Sequence, residues 1–190
     1  VKSDLLDNRL RLNAAAFNTD YSDLQVVFRS GIAPFLFNAG AATIQGFELE
    51  GTFLPTSSWM IDFGLGYIDA SYDDVIDPGD AFSTSVSTDS EFAMTPEFAG
   101  NLGVGYITEF GDWTFSPRVD YAYTGDKYFD AANTPQLLQE ATQVLNASAS
   151  FEYADSWKLT FGVTNLTDEL YLVSGTSAYS EGTGYVEHVY

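Results

Sequence analysis

The sequence predicts an all-β fold, an antiparallel transmembrane β-barrel segment of about seven strands. Three observations predict it. Apolar and polar residues alternate with a period of two, the alternating stretches are long, and the connections between them alternate between short and long. Trp113, Phe115, Pro117, Val119, Tyr121 and Tyr123 alternate with Thr114, Ser116, Arg118, Asp120 and Ala122. Leu145, Ala147, Ala149, Phe151 and Tyr153 alternate with Asn146, Ser148, Ser150 and Glu152, and Trp157, Leu159, Phe161 and Val163 with Lys158, Thr160, Gly162 and Thr164. Successive side chains of a strand point to opposite faces, so each stretch has one apolar and one polar face.

The first strand covers about 10–27. Its apolar phase sits on Leu10, Leu12, Ala14 and Ala16 and then shifts to Phe17 and Tyr21, which predicts a bulge. A long loop at 28–41 leads to strands at 42–54 and 59–72, joined by the tight turn Pro55-Thr-Ser-Ser58. After a loop at 73–96 come strands at 97–109 and 113–124, joined at Gly111-Asp112. A loop at 125–143 precedes strands at 144–153 and 157–166, joined at Ala154-Asp-Ser156, and 167–190 is a further long connection. Several of these strands exceed the roughly five or six residues usual in soluble sheets and reach the roughly nine to eleven that a tilted strand needs to cross a bilayer. Short turns at one end and long loops at the other are the build of an outer-membrane barrel, with the short turns in the periplasm.

The tryptophans fit the same frame. Trp59, Trp113 and Trp157 each follow one of the three tight turns on the apolar face, and Tyr67 and Tyr121 stand eight residues beyond the first two. At about 3.3 Å rise and about 40° tilt, eight residues climb roughly 20 Å, close to the height of a lipid-facing band between two aromatic girdles. These five residues are the expected membrane-interface aromatics.

Composition closes off other classes. No run of eighteen apolar residues marks a transmembrane helix, and no basic leader precedes the first strand. Cys is absent and His188 is the single histidine, so disulfides, zinc knuckles, thiol nucleophiles and two-imidazole sites are excluded. The net charge is −20, from 27 Asp and Glu against 7 Lys and Arg, with no cation between Arg29 and Arg118. Nucleic-acid binding needs phosphate neutralisation and is not expected. The 45% hydrophobic content argues against disorder.

No catalytic, metal or cofactor site is expected. Glu48 and Glu50 share a strand face, but carboxylates lining a barrel lumen account for them without glycosidase chemistry. Gly64-Leu-Gly-Tyr-Ile68 recurs as Gly103-Val-Gly-Tyr-Ile107. Neither copy completes a nucleotide-binding loop, and the glycines bare the inner wall for something packed there. Asp73-Asp-Val-Ile-Asp-Pro-Gly-Asp80 is rich in oxygen donors without EF-hand spacing and reads as a solvated outer loop. The sequon-like Asn146-Ala-Ser and Asn165-Leu-Thr lie on strands or strand ends. Tyr72, Phe82, Phe92, Tyr128, Phe129, Tyr179 and Tyr185 lie on or near the long connections, where aromatic rings contact cargo or pack loops together.

Asn38-Ala-Gly-Ala-Ala-Thr-Ile-Gln-Gly-Phe-Glu-Leu-Glu50 resembles the N-A-G-x-A-x-x-x-G-x-E-L-E strand of TonB-dependent outer-membrane receptors. Leu12 to Gln25 is similar to the strand before it there, and Gly66 to Tyr72, Thr95-Pro-Glu97 and Asn165-Leu-Thr-Asp-Glu-Leu-Tyr171 match the next landmarks in order. The resemblance covers essentially the whole chain. It implies residues 1–190 of a C-terminal barrel portion, strands fifteen to twenty-one of a 22-stranded barrel, with the plug domain and final strand lying outside the chain. It further implies a receptor in the outer membrane of a Gram-negative bacterium that imports a scarce nutrient, most commonly an iron–siderophore complex. Its partners would be outer-membrane lipid, its own plug and remaining strands, and TonB through the N-terminal part. A barrel without TonB coupling, such as a porin or an adhesin, and a soluble β-sandwich binding module are the alternatives; an upstream plug distinguishes the first, and detergent-free solubility the second.

Overall fold

Period-two alternation becomes a continuous antiparallel ladder. The computed structural model describes residues 1–30, 33–76, 86–154, 156–180 and 183–189. The elements are β1 (Lys2–Leu5), β2 (Leu10–Ser30), β3 (Ala33–Phe53), β4 (Trp59–Val75), β5 (Phe98–Tyr106), β6 (Thr108–Phe110) and β7 (Trp113–Thr124). Beyond them lie β8 (Lys127–Tyr128), a 3-10 turn (Pro135–Leu137), β9 (Leu138–Gln139), β10 (Thr142–Tyr153), β11 (Trp157–Val163), β12 (Ser174–Ser180) and β13 (Thr183–Val189). The main sheet runs β1-β2-β3-β4-β5-β7-β10-β11, with β6 also on β7. Every pairing is antiparallel, and among the described residues β1 and β11 stand at open edges.

All seven expected strands are present, β5 with β6 making up the fourth, and three differences are informative. First, 28–30 and 33–41 are strand where a loop was expected. β2 runs to Ser30 and β3 starts at Ala33, paired from Gln25↔Asn38 to Ser30↔Ala33. Gly31 and Pro34 read as loop residues, but the flanking Val26-Val-Phe28 and Phe35-Leu-Phe37 are strong strand formers. Second, β5 and β6 hold one register on β7, from Gly105↔Arg118 to Thr108↔Phe115, and the ladder breaks opposite Pro117. Proline has no amide hydrogen to donate. Third, the hairpin β12–β13 occupies part of the expected connection after β11, and β1 and the short pair β8–β9 were not anticipated.

The phase shift in the first strand has a different cause from a bulge. β2 and β3 keep unbroken register from Leu10↔Phe53 to Tyr21↔Ala42, and the irregularities fall later, between Tyr21, Leu24 and Gln25. Asp23 there takes a positive φ of 56°. What changes between Ala16 and Phe17 is which face is apolar. On one side of the sheet, Ala16, Phe47 and Tyr67 are followed at the next same-face positions by Asn18, Gln45 and Asp69, which are adjacent in register. On the other side, Phe17, Gly46 and Ile68 form one row, and Tyr21, Ala42 and Tyr72 another.

Buried side chains are few and gather near the long connections. Val26, Tyr72 and Val86 form the core cluster, with Leu24, Val75, Phe92 and Ala131 packed around it. Along the long strands the large apolar side chains are uncovered, among them Val119 (46% exposed), Leu159 (48%) and Phe161 (60%).

The turn after β11 explains its early end. Asn165 adopts a positive φ of 52°. Its side chain accepts the Glu169 amide at 2.9 Å and donates to the Glu169 carbonyl at 3.0 Å, while its own amide donates to Asn146 Oδ1 at 2.8 Å. Asn is the side chain that tolerates this backbone and closes such a turn on itself.

Candidate functional site

The outward face assembles the predicted aromatics into contacts. Trp59 packs on Tyr106 at 4.7 Å between ring centroids. Trp113 lies edge-on to Trp157 at 5.1 Å, and Tyr153 fills the position between them, 5.1 Å from Trp113. Tyr67 stands between Phe47 and Phe98 at 5.7 and 5.5 Å. Tyr121 does not join that row. It pairs in register with Leu102 and Leu145 and donates its hydroxyl to Gln143 Oε1 at 3.1 Å. Tyr106, Tyr153, Phe47 and Phe98 pack against the predicted set and were not among it. Their signal was available, since each sits on the apolar phase at a strand end or directly across from a predicted ring.

The opposite, inner face is polar and built on small residues. Arg118 spans two strands there. Its guanidinium donates to Asp120 from Nε at 2.9 and 3.1 Å and from Nη2 at 2.7 Å, and reaches Asp62 from Nη1 at 3.0 Å. Thr52 extends the network with a 2.9 Å hydrogen bond to Asp62. Asp62 is on β4 and Arg118 on β7, so the guanidinium must cross over β5. Gly103 permits the crossing, because a Cβ there would lie 2.1 Å from Nη2. What packs on this stretch of bare backbone is therefore Arg118, while Asn101 lies over Gly64, its Oδ1 2.5 Å from where a Cβ would stand. Glu48 and Glu50 point inward beside these glycines, and Glu50 accepts from Asn13 Nδ2 at 2.8 Å. They border a hollow of about 700 Å³ that reaches from β1 to β7.

The long connections hold one another. Tyr72, only 7% exposed, stacks on Phe92 at 4.2 Å, so two of the candidate cargo aromatics pack loop against strand instead. Glu91 donates its amide to Asn133 Oδ1 at 2.6 Å and accepts from Asn133 Nδ2 at 3.0 Å, tying the connection after β4 to the one after β7. Met94 donates its amide to the Tyr128 carbonyl at 2.8 Å. Asp130 accepts from the Thr134 amide at 2.9 Å and from its hydroxyl. Leu137 is wholly buried, and the Phe129 amide bonds its carbonyl at 3.0 Å. Phe82 and Asp77 to Asp80 lie outside the described residues, as do the side chains of Tyr179 and Tyr185. No group of acidic residues able to hold a metal ion occurs among the described residues, and Asp73 accepts a hydrogen bond from Thr43 at 2.8 Å.

The family model for the TonB dependent receptor-like β-barrel matches residues 1–166. The pesticin receptor of Yersinia pestis is 26% identical over 186 residues, 94% of this chain and 24% of that protein. A probable TonB-dependent siderophore receptor, PiuA of Acinetobacter baumannii, is 27% identical over 189 residues, 95% of this chain and 23% of that protein. The crystal structure of the ferric yersiniabactin uptake receptor FyuA from Yersinia pestis superposes with a TM-score of 0.74 at 21% identity, covering 99% of this chain and 26% of that one, a likeness of fold. The chain thus spans about a quarter of the length of the relatives it matches.

Proposed function

The chain belongs to the family of TonB-dependent receptor β-barrels, and from that premise we propose that it forms part of the wall of an outer-membrane receptor importing an iron–siderophore complex into a Gram-negative cell. The observation that carries the reading is the uncovered apolar face. Rows such as Ile61, Val104, Val119, Ala147 and Val163 run strand to strand with no layer of the described residues over them, and hydrocarbon is the solvent that such a face suits.

Register supports the placement of the aromatics at the membrane interfaces. The row Met60, Gly105, Arg118, Ser148 and Gly162 crosses four strand spacings, so Trp59 is level with Phe161 and Trp157 lies four residues nearer the turns. Four residues at about 3.3 Å over four spacings of about 4.8 Å is the offset that a strand tilt of about 35° brings level, within the barrel range. Trp59, Trp113 and Trp157 then form the periplasmic girdle. Tyr67 with Phe47 and Phe98 marks the outer one, beyond which Asn18, Gln45 and Asp69 turn the same face polar. Tyr121 stands eight residues from Trp113, as Tyr67 does from Trp59, and is level in register with Leu102 and Leu145.

On this reading the inner face opposes a plug, and the rest of a receptor of the relatives' length supplies that plug, the further strands and the contact with TonB. The relatives' descriptions as siderophore and ferric-yersiniabactin receptors support the choice of cargo. The test compares the two faces in the intact receptor. Val119→Arg, facing lipid near mid-membrane, should cost about 2–4 kcal/mol of folding free energy in lipid vesicles. Ala122→Arg, on the inner face, should cost clearly less. Equal costs would remove the lipid-facing assignment.

A further inference from the structure

We propose that Lys127, at the outer mouth of the inner wall, is a cargo-binding residue that selects anionic ferric complexes over uncharged ones; the proposal rests on the siderophore reading above. In a chain of net charge −20 the placement of each cation is informative. Arg11 pairs with Asp4, Arg118 with Asp62 and Asp120, and Lys158 with Glu152. Lys127, like Lys2 and Arg9, has no ion pair with any described residue, although Asp126 and Glu140 are close to it in sequence. Its ammonium lies 5.7 Å from the centroid of the Phe129 ring.

It borders a hollow of about 350 Å³ whose polar lining includes Thr124, Gln139, Thr142 and Tyr171. Thr124 pairs in register with Thr142 and with Ala99, on the same face as Ala122 and Asn101, so the hollow opens on the inner wall where it meets the long connections. The scaffold is fixed before any ligand arrives. Lys127 pairs with Gln139 across the β8–β9 ladder, and buried Leu137 anchors the adjoining turn. Gln139 Oε1 accepts the Leu172 amide, which holds the third wall in place. Lys127, Thr124, Thr142 and Tyr171 together line this one hollow, a cation and three hydroxyl-bearing residues that suit an anionic group, and a hollow of this size takes one chelating arm rather than a whole complex.

The experiment uses the intact receptor in detergent, with ferric tricatecholate (a trianion) and ferric trihydroxamate (uncharged) as probes, followed by quenching of tryptophan fluorescence. Lys127→Met should weaken binding of the tricatecholate by about tenfold to a hundredfold, the range of one charge-assisted hydrogen bond, and leave the trihydroxamate within about twofold. Lys127→Arg, which keeps the charge, should retain most of the tricatecholate affinity and shows that the scaffold tolerates change. If Lys127→Met leaves tricatecholate binding intact, or weakens both probes equally, the proposal is overturned while the siderophore reading stands. If the unaltered receptor binds neither probe, the siderophore reading falls and this proposal with it.

Discussion

Replacing Gly103 by Ala tests whether the inner wall is organised around Arg118. The added Cβ would stand 2.1 Å from Nη2 and 2.7 Å from Asp120 Oδ1, whereas ordinary contact begins at 3.4 Å. The guanidinium must retreat by more than 1 Å, which its 2.7 Å bond from Nη2 to Asp120 and its 3.0 Å bond from Nη1 to Asp62 cannot both survive. A hydrogen bond to a charged group contributes about 1.5–3 kcal/mol, and here the groups are about one-third exposed, so the lower part of that range applies. Ala for Gly also favours the strand by roughly 0.5–1 kcal/mol, which would mask part of the loss. Gly105→Ala carries the same benefit with its nearest neighbour at 3.8 Å, so the difference between the two variants isolates the clash. Gly103→Ala should therefore be less stable than Gly105→Ala by about 1–2 kcal/mol. Urea unfolding of the intact receptor from lipid vesicles measures this, and adding Arg118→Met to each should abolish most of the difference. Equal stability of the two alanine variants, or a difference that persists without the guanidinium, would refute the account.

Gly46→Ala should be far worse than either, because its Cβ would meet the Tyr67 carbonyl oxygen at 2.2 Å, and backbone in a paired strand has nowhere to go; a loss of more than about 3 kcal/mol or failure to assemble is expected, and assembly at normal yield would contradict the geometry. Asn133→Gly preserves the positive backbone angle of 50° while removing both hydrogen bonds to Glu91, so it should loosen residues 86–97 and 125–141 together. Hydrogen exchange read by mass spectrometry should rise in both segments with global stability changed by less than about 1 kcal/mol, and a rise confined to one segment would show that the connections are independent.

Much of the wall was legible because a strand with two different solvents writes them into alternate residues. Val119 beside Asp120, or Leu159 beside Thr160, leaves little freedom in which side faces which medium. The ion network was less legible. Arg118, Asp62 and Asp120 stand out in the sequence, but their meeting over Gly103 depends on the register of three strands, which alternation alone does not set. The loop core was hidden for a related reason. Tyr72 and Phe92 are 20 residues apart, and their stacking is a tertiary contact that alternation does not encode, while Asn133 reads as an ordinary turn residue until Glu91 is placed beside it.

The phase shift at Phe17 is the most instructive case, since the observation was sound and the cause was not. A bulge and a change of solvent both move the apolar phase by one residue, and a single strand cannot tell them apart. Three adjacent strands can. A bulge would move one strand's phase relative to its neighbour, whereas a boundary moves all three at one level: Ala16 to Asn18, Phe47 to Gln45 and Tyr67 to Asp69, with register unbroken between them. Past that level the outward face carries Asp20, Thr43, Asp69 and Asp73, joined by Thr43 to Asp20 at 3.4 Å, Thr43 to Asp73 at 2.8 Å and Gln45 to Asp69 at 2.8 Å. The inward face then takes the apolar side chains, Phe17, Ile44, Ile68 and Tyr72, which is where the loop core forms. The strands thus continue as one ladder through two environments, and inverting the faces at the boundary places water-seeking groups outward and gives the long connections an apolar floor to fold upon.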